Sequence, residues 1–157
     1  MTERHYWDTC AWLDLLAETK VPAASRPMHT MWGMVERGGL EVLFSPITLT
    51  ECLFRAEGED RPYTDPHPSD ELFNATGVVL VQVDREIGEL SRSLRRLHNV
   101  KAPDALHLAC AIRHNVDHFV TRDKLKVPTL YRKDGRRLTI STPADVLMGP
   151  LGAGRAS

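Results

Sequence analysis

With 157 residues, 42% of them hydrophobic and 26% charged, the chain has the length of one domain and enough apolar material for one real core. No run approaches the roughly 20 apolar residues of a membrane span, and the opening MTERHYWD lacks the apolar segment of a secretory signal, so a cytoplasmic protein is expected. The cysteines, Cys10, Cys52 and Cys110, are odd in number and form no C-x-x-C pair, which argues against a disulfide framework or a zinc knuckle and for small buried hydrophobes.

The formal net charge is only −1, yet it is unevenly spread: residues 1–84 hold 6 Lys and Arg against 14 Asp and Glu, and residues 85–157 hold 14 against 7. An acidic half followed by a basic half can set a cationic surface beside an acidic site, or can be an ordinary solvated basic face.

In chain order, Arg4-His5-Tyr6-Trp7 is a β-prone run, and Ala11, Trp12, Leu15 and Leu16 after it follow a helical spacing. Asp8 therefore lies where a strand ends and a helix begins. Residues 21–27 read as a loop. Met28, Met31, Trp32 and Val35 then recur at helical intervals until Gly38-Gly39, as core or interface packing. Glu41 to Phe44 reads as the second strand, and Ser45-Pro46 starts a helix through ITLTECLFRA, with Ser as cap and Pro in the first turn. Glu51 sits inside that mainly apolar helix. The Pro- and acid-rich stretch 57–69 reads as a loop with little to bury, and Asp70 to Ala75 as a short helix. Val78 to Val83 is nearly continuous in apolar residues, the pattern of a strand buried on both faces of a parallel sheet.

Asp84 can cap the next helix, whose buried stripe is Ile87, Leu90, Leu94 and Leu97, with Arg85, Arg92, Arg95 and Arg96 largely elsewhere. VKAPDALHLACAIRHNVDHFVTRDKLK is the centre of the chain. Pro103 suits a first turn, Asp104 faces the positive end of the helix dipole, and Ala105 to Ile112 is apolar on nearly every side, as in a core helix. Asn115 ends it, and a strand over 117–121 delivers Thr121, Arg122 and Asp123 to a loop. Val127 to Tyr131 and Arg137 to Ile140 read as short edge segments, Thr142-Pro143-Ala144-Asp145 opens a last helix, and residues 149–157 form a tail.

Alternating strands and helices call for an α/β fold, a mainly parallel sheet with helices on both faces, and ligands bind such sheets outside the carboxyl ends of the strands. That rule brings Asp8 and Asp123 to one rim directly, and Glu51 and Asp104 from helices that begin near it. Several acids at close range raise one another's pKa unless a cation compensates. A hard divalent ion such as Mg2+ or Mn2+ suits oxygen ligands, and its chemistry suits phosphodiester hydrolysis. Arg122, Lys124 and Lys126 lie beside these acids in sequence and are placed to meet a phosphate backbone.

Through YWDTCAWLDLL, SPITLTECL, KAPDALHLACA and FVTRD, with their acids in the order Asp, Glu, Asp, Asp, the chain resembles the PIN-domain family, which includes the VapC-type toxins of bacterial toxin–antitoxin pairs. The resemblance runs from about Arg4 to Val146. It implies a three-layer α/β/α fold, a single domain over 1–148 and a metal-dependent ribonuclease. Asp8, Glu51, Asp104 and Asp123 match the family's catalytic, metal-binding acids, with Mg2+ or Mn2+ as cofactor. Thr9 and Thr121 match positions that support that site by hydrogen bonding. His107, one helical turn after Asp104, suits a supporting or packing role rather than that of a general base. Cys10, where Ser or Asn is frequent, and Arg122, where a small polar residue is frequent, depart from the pattern. The implied partners are an RNA substrate, a small antitoxin that covers the acidic groove, and a second copy in a homodimer, with the Met28, Met31 and Trp32 helix as a candidate docking face. An alternative is a PIN-like RNA- or protein-binding module with weak or lost catalysis. A phosphoryl-accepting domain or aspartate-nucleophile phosphatase is a third reading. Such phosphatases usually carry a second Asp two residues after the first, where Cys10 stands here.

Overall fold

The computed structural model describes residues 2–17, 27–52 and 70–149. The expected loops over 57–69 and most of 21–27 lie outside these residues, as do the last eight residues of the expected tail.

Among the described residues six strands form one sheet: β1 (Glu3–Trp7), β2 (Leu40–Phe44), β3 (Val78–Leu80), β4 (His118–Val120), β5 (Leu130–Tyr131) and β6 (Arg137–Ser141). Their order is β3-β2-β1-β4-β6-β5, and every pairing is parallel except that of β5 with β6. The described helices are α1 (Thr9–Ala17), α2 (Pro27–Glu36), α3 (Pro46–Glu51), α4 (Asp70–Phe73), α5 (Arg85–His98), α6 (Ala102–Arg113) and α7 (Pro143–Met148). None of them is long and apolar enough to cross a membrane.

Successive strand residues point to opposite faces, and here they feed two cores. Tyr6, Leu43 and Phe119 face α5 and α6, joining Ile87, Leu94 and the buried run Ala105 to Ile112 of α6. Trp7, Val42, Phe44 and Val120 face the other way, against Trp12, Met28, Met31, Met34, Val35 and Val146 of α1, α2 and α7. In the first core Tyr6 stacks on Phe119 with centroids 5.7 Å apart and planes 4° from parallel. In the second, Trp12 packs against Trp7, Trp32, Phe44 and Phe73. Full burial of one such side chain stabilises the fold by about 1.5–3 kcal/mol, and it is the two-sided sandwich that permits it.

Several expectations change in this frame. Val78 to Val83 is not doubly buried: only 78–80 form a strand, it pairs with β2 alone, and Val79 and Leu80 are 38% and 42% exposed. An apolar run identifies a strand but not its place in the sheet. β6 is no edge, since it lies between β4 and β5. The buried stripe of α5 stops at Leu94, and Leu97 is 68% exposed. Met28 and Met31 are wholly buried in the second core and offer no docking face. Gly38, at φ +77°, ends α2 in a conformation that favours glycine. Asp84 caps α5 by accepting from Ile87 N–H at 2.9 Å, and Thr142 does the same for α7. Ser45 has cap backbone geometry, but its hydroxyl is not used in the cap.

Candidate functional site

β1 stands at the centre of the order, and the chain moves from it to β2 and β3 on one side before crossing over to β4 and β6 on the other. The switch point therefore lies between β1 and β4, where a crevice opens outside the carboxyl ends of the strands. Trp7 pairs with Val120 in register, so the next residues, Asp8 and Thr121, emerge side by side. Asp8 N–H donates to Val120 O at 2.9 Å and continues the ladder one residue past the strand.

The Asp8 carboxylate is 5% exposed and held from both sides. Oδ1 accepts from Thr9 N–H at 2.8 Å and Oδ2 from the Thr121 hydroxyl at 2.9 Å. Thr121 Oγ1 also accepts from Asp123 N–H at 3.1 Å, which folds the β4 loop back so that Asp123 turns toward Asp8. Ligating atoms of Asp8, Cys10 and Asp123 lie within 4.8 Å of one another. Asp104 stands in the first turn of α6, and its carboxyl is pushed up by partial burial and then by the charges of Asp8 and Asp123, with a smaller push from Glu51. Three aspartates from three chain segments thus share one electrostatic environment, in which His107 offsets part of the push on Asp104.

Glu51, the last residue of α3 rather than an interior one, is set back from this group. Its Oε1 accepts from the Thr9 hydroxyl at 2.7 Å and from His107 Nε2 at 2.6 Å. The bond from His107 holds the Glu51 carboxyl below its ordinary value, against the effect of burial. His107, 1% exposed, reaches across the site: Nε2 is 3.7 Å from Asp8 Oδ1, and Nδ1 is 2.6 Å from the Tyr6 hydroxyl, which donates to Ser45 Oγ at 2.9 Å. Buried Ser45, Tyr6 and His107 form a polar line that ends on the exposed Glu51 and fixes it relative to Asp8.

Sequence reasoning missed Tyr6 and Ser45, because both lie in runs that read as strand and helix cap. It also missed Asp14, whose Oδ1 pairs with Arg122 Nη1 at 2.8 Å. Arg122, expected on the phosphate path, is thereby turned toward α1. Burial and the adjacent Asp8 charge push the Cys10 thiol up, so the sulfur remains a neutral S–H donor, 3.6 Å from Asp8 Oδ2. Lys124 and Lys126 are exposed, and with Lys101 and His98 they line a groove of about 550 Å3 whose floor includes Asp104 and Asp123. Lys101 had a signal available, standing just before the Pro and Asp that open α6.

A donor set of carboxylate oxygens with one reluctant thiol fits a hard divalent ion rather than a soft one. The raised Asp104 carboxyl is what carboxylates in search of such a cation show.

A family model described as PIN domain matches residues 6–125. The chain belongs to the PIN-domain family. Among solved structures, this PIN domain is similar to a crystal structure of VapBC2 from Rickettsia felis bound to a DNA fragment from their promoter. The TM-score is 0.61 at 14% identity, covering 88% of this chain and 98% of that one. It is also similar to a toxin-antitoxin complex from Klebsiella pneumoniae, with a TM-score of 0.54 at 22% identity over 78% of this chain and 88% of that one. At such identities the likeness concerns the fold. No curated protein sequence matches the chain.

Proposed function

We propose that this PIN domain is a metal-dependent endoribonuclease that hydrolyses RNA phosphodiester bonds, and that it is the toxin of a type II toxin–antitoxin pair. The observation that carries the reading is the closeness of Asp8 and Asp123 at the switch point of the sheet, with Asp104 near enough to be pushed up by their charges, beside a groove lined with lysines. PIN domains are generally nucleases that use divalent metals, and the two solved structures described above are toxin–antitoxin complexes, which supports the toxin assignment and an antitoxin partner.

Asp8, Asp104 and Asp123, with Glu51 behind them, would hold Mg2+ or Mn2+. Such an ion supplies an acidified water as nucleophile and offsets the charge that builds on phosphate. The chain's own groups do the rest. Thr9 and Thr121 hold the Asp8 oxygens in one orientation. His107 and Thr9 keep Glu51 ionised and aimed. Lys124 and Lys126 draw in the phosphate backbone and lay it along the groove above Asp104 and Asp123. Arg122 contributes to that path only by leaving Asp14. The domain spans 1–148, works in the cytoplasm as a homodimer, and is restrained by a small antitoxin that places a basic side chain against the acids.

The test is cleavage of single-stranded and structured RNA by purified protein with Mn2+ or Mg2+. Wild type should cut, and Asp104→Asn or Asp8→Asn should lose about a hundredfold or more. Equal behaviour of wild type and both variants would sink the nuclease reading. Replacing Lys124 and Lys126 together should lower the slope of log affinity against log salt by roughly 1–2 and leave Mn2+ binding unchanged. A neighbouring small open reading frame whose product co-purifies with this chain decides the toxin assignment separately.

A further inference from the structure

The opposite end of the sheet carries a second convergence of ligating groups. Glu3 and His5 are two residues apart on β1 and so share a face, and His118 is the register partner of His5 on β4. His5 Nε2 lies 3.1 Å and His118 Nε2 3.0 Å from the same atom, Glu3 Oε1. One ligating atom from each of the three lies within 4.8 Å of the other two. His5 is fully buried, while the Glu3 and His118 side chains are each 24% exposed, on the wall of a groove of about 760 Å3.

We infer that Glu3, His5 and His118 form a binding site for Zn2+ or a similar imidazole-preferring transition ion, with a fourth, open position facing the groove. Zinc takes imidazole nitrogen and carboxylate oxygen at about 2.0–2.2 Å in a tetrahedron, which places neighbouring ligand atoms a little over 3 Å apart. The two nitrogen–oxygen separations, 3.1 and 3.0 Å, are close to that edge already. Two histidines, one glutamate and an open position is also a recurrent zinc donor set, whereas the carboxylates at the other end of the strands suit hard ions. The two sites would therefore sort metals by donor chemistry.

The surrounding bonds set the protonation change. Without an ion, His5 Nε2–H and His118 Nε2–H donate to Glu3, Trp7 Nε1–H donates to His5 Nδ1 at 3.4 Å, and Ser141 Oγ lies 3.1 Å from His118 Nδ1. Zinc on both Nε2 atoms moves each ring proton to Nδ1, with no net proton released. At His118 the new N–H donates to Ser141 Oγ. At His5 it displaces the long Trp7 contact, so indole emission reports on binding. The bound ion would tie the amino-terminal ends of β1 and β4 together.

Metal-free full-length protein titrated with Zn2+ should bind one ion outside the acidic rim. Its melting temperature should rise by about 5–10 °C at free Zn2+ near a hundred times Kd. Co2+ at the same site should give the visible absorption of a tetrahedral complex. Glu3→Gln and His118→Ala, both at partly exposed positions, should each weaken Zn2+ binding at least about tenfold while keeping the wild-type circular dichroism. Asp104→Asn should leave it unchanged, which separates this site from the proposed nuclease centre. Zn2+ uptake that survives both Glu3→Gln and His118→Ala, uptake lost in Asp104→Asn, or no uptake at micromolar Zn2+ overturns the assignment.

Discussion

The two ends of β1 and β4 treat charge in opposite ways. At the carboxyl end Asp8 and Asp123 approach one another, and Asp104 is pushed up by burial and by their charges. At the amino end every described acid has a donor. Asp117 accepts from Arg4 N–H and from Arg132 Nη1, Glu41 accepts from Arg4 Nε, and Asp134 pairs with Arg132, itself only 7% exposed. Glu3 is held down at about 2 by N–H groups from His118 and His5. A fold that pairs its charges at one end and crowds them at the other has given up stability where a ligand is to bind.

Breaking the buried polar line behind the acids should produce the largest change. His107→Ala removes the donor that aims Glu51, and metal affinity or cleavage should fall about 10–100-fold, read by Mn2+ titration and single-turnover cleavage, with the global melt altered far less. Breaking the paired end should do the reverse. Arg132→Met leaves Asp117 and Asp134 without their shared guanidinium, and the melting temperature should fall by about 5–10 °C with cleavage per folded molecule unchanged. If Arg132→Met impairs cleavage as much as His107→Ala does, the two ends are not separable in this way.

Acid should loosen the paired end first. Burial lowers the pKa of His5 below its ordinary 6.5, so the unfolded chain takes up that proton before the folded one, and stability falls as pH drops below that value. Glu3, lowered from 4.5 to about 2, contributes stability that is fully present above 4.5 and is lost as pH falls toward 2. Asp104 runs the other way: its raised carboxyl disfavours the folded form at neutral pH, and protonation relieves it. A melting curve recorded from about pH 8 down to about pH 3 should therefore be level at first and decline once the pH falls below the ordinary 6.5 of His5, and Glu3→Gln should flatten its acid limb. The smallest effect sharpens the comparison most. In chelator, Asp104→Asn should melt about 1–2 °C higher than wild type, a small gain because solvent screens a partly exposed carboxyl, and Mn2+ should then stabilise only the wild type. A variant less stable than wild type under chelation would mean that Asp104 is a structural acid.

Much of this was legible in the chain. Asp8 after a β-prone run, Pro103-Asp104 opening an apolar helix, and Asp123 just past a short strand place two acids at strand ends and one at a helix start by local rules alone, since caps, turn residues and hydrophobic period act over a few residues. The quoted motifs carried the family as well. Other features needed the fold. Whether Val79 and Leu80 are central or at an edge depends on the order of the strands, which no local pattern encodes. Met28 and Met31 read equally as core or as docking face until α2 is packed on the sheet.

Sequence by itself determined the element order, the family and the acids that reach the rim, because each of these rests on neighbours along the chain. Only the tertiary structure decided that Arg122 turns to Asp14, that Tyr6 and Ser45 stand behind His107, and that Glu3, His5 and His118 meet. Those contacts join residues more than a hundred positions apart in several cases, and parallel pairing of β1 with β4 is what makes them neighbours.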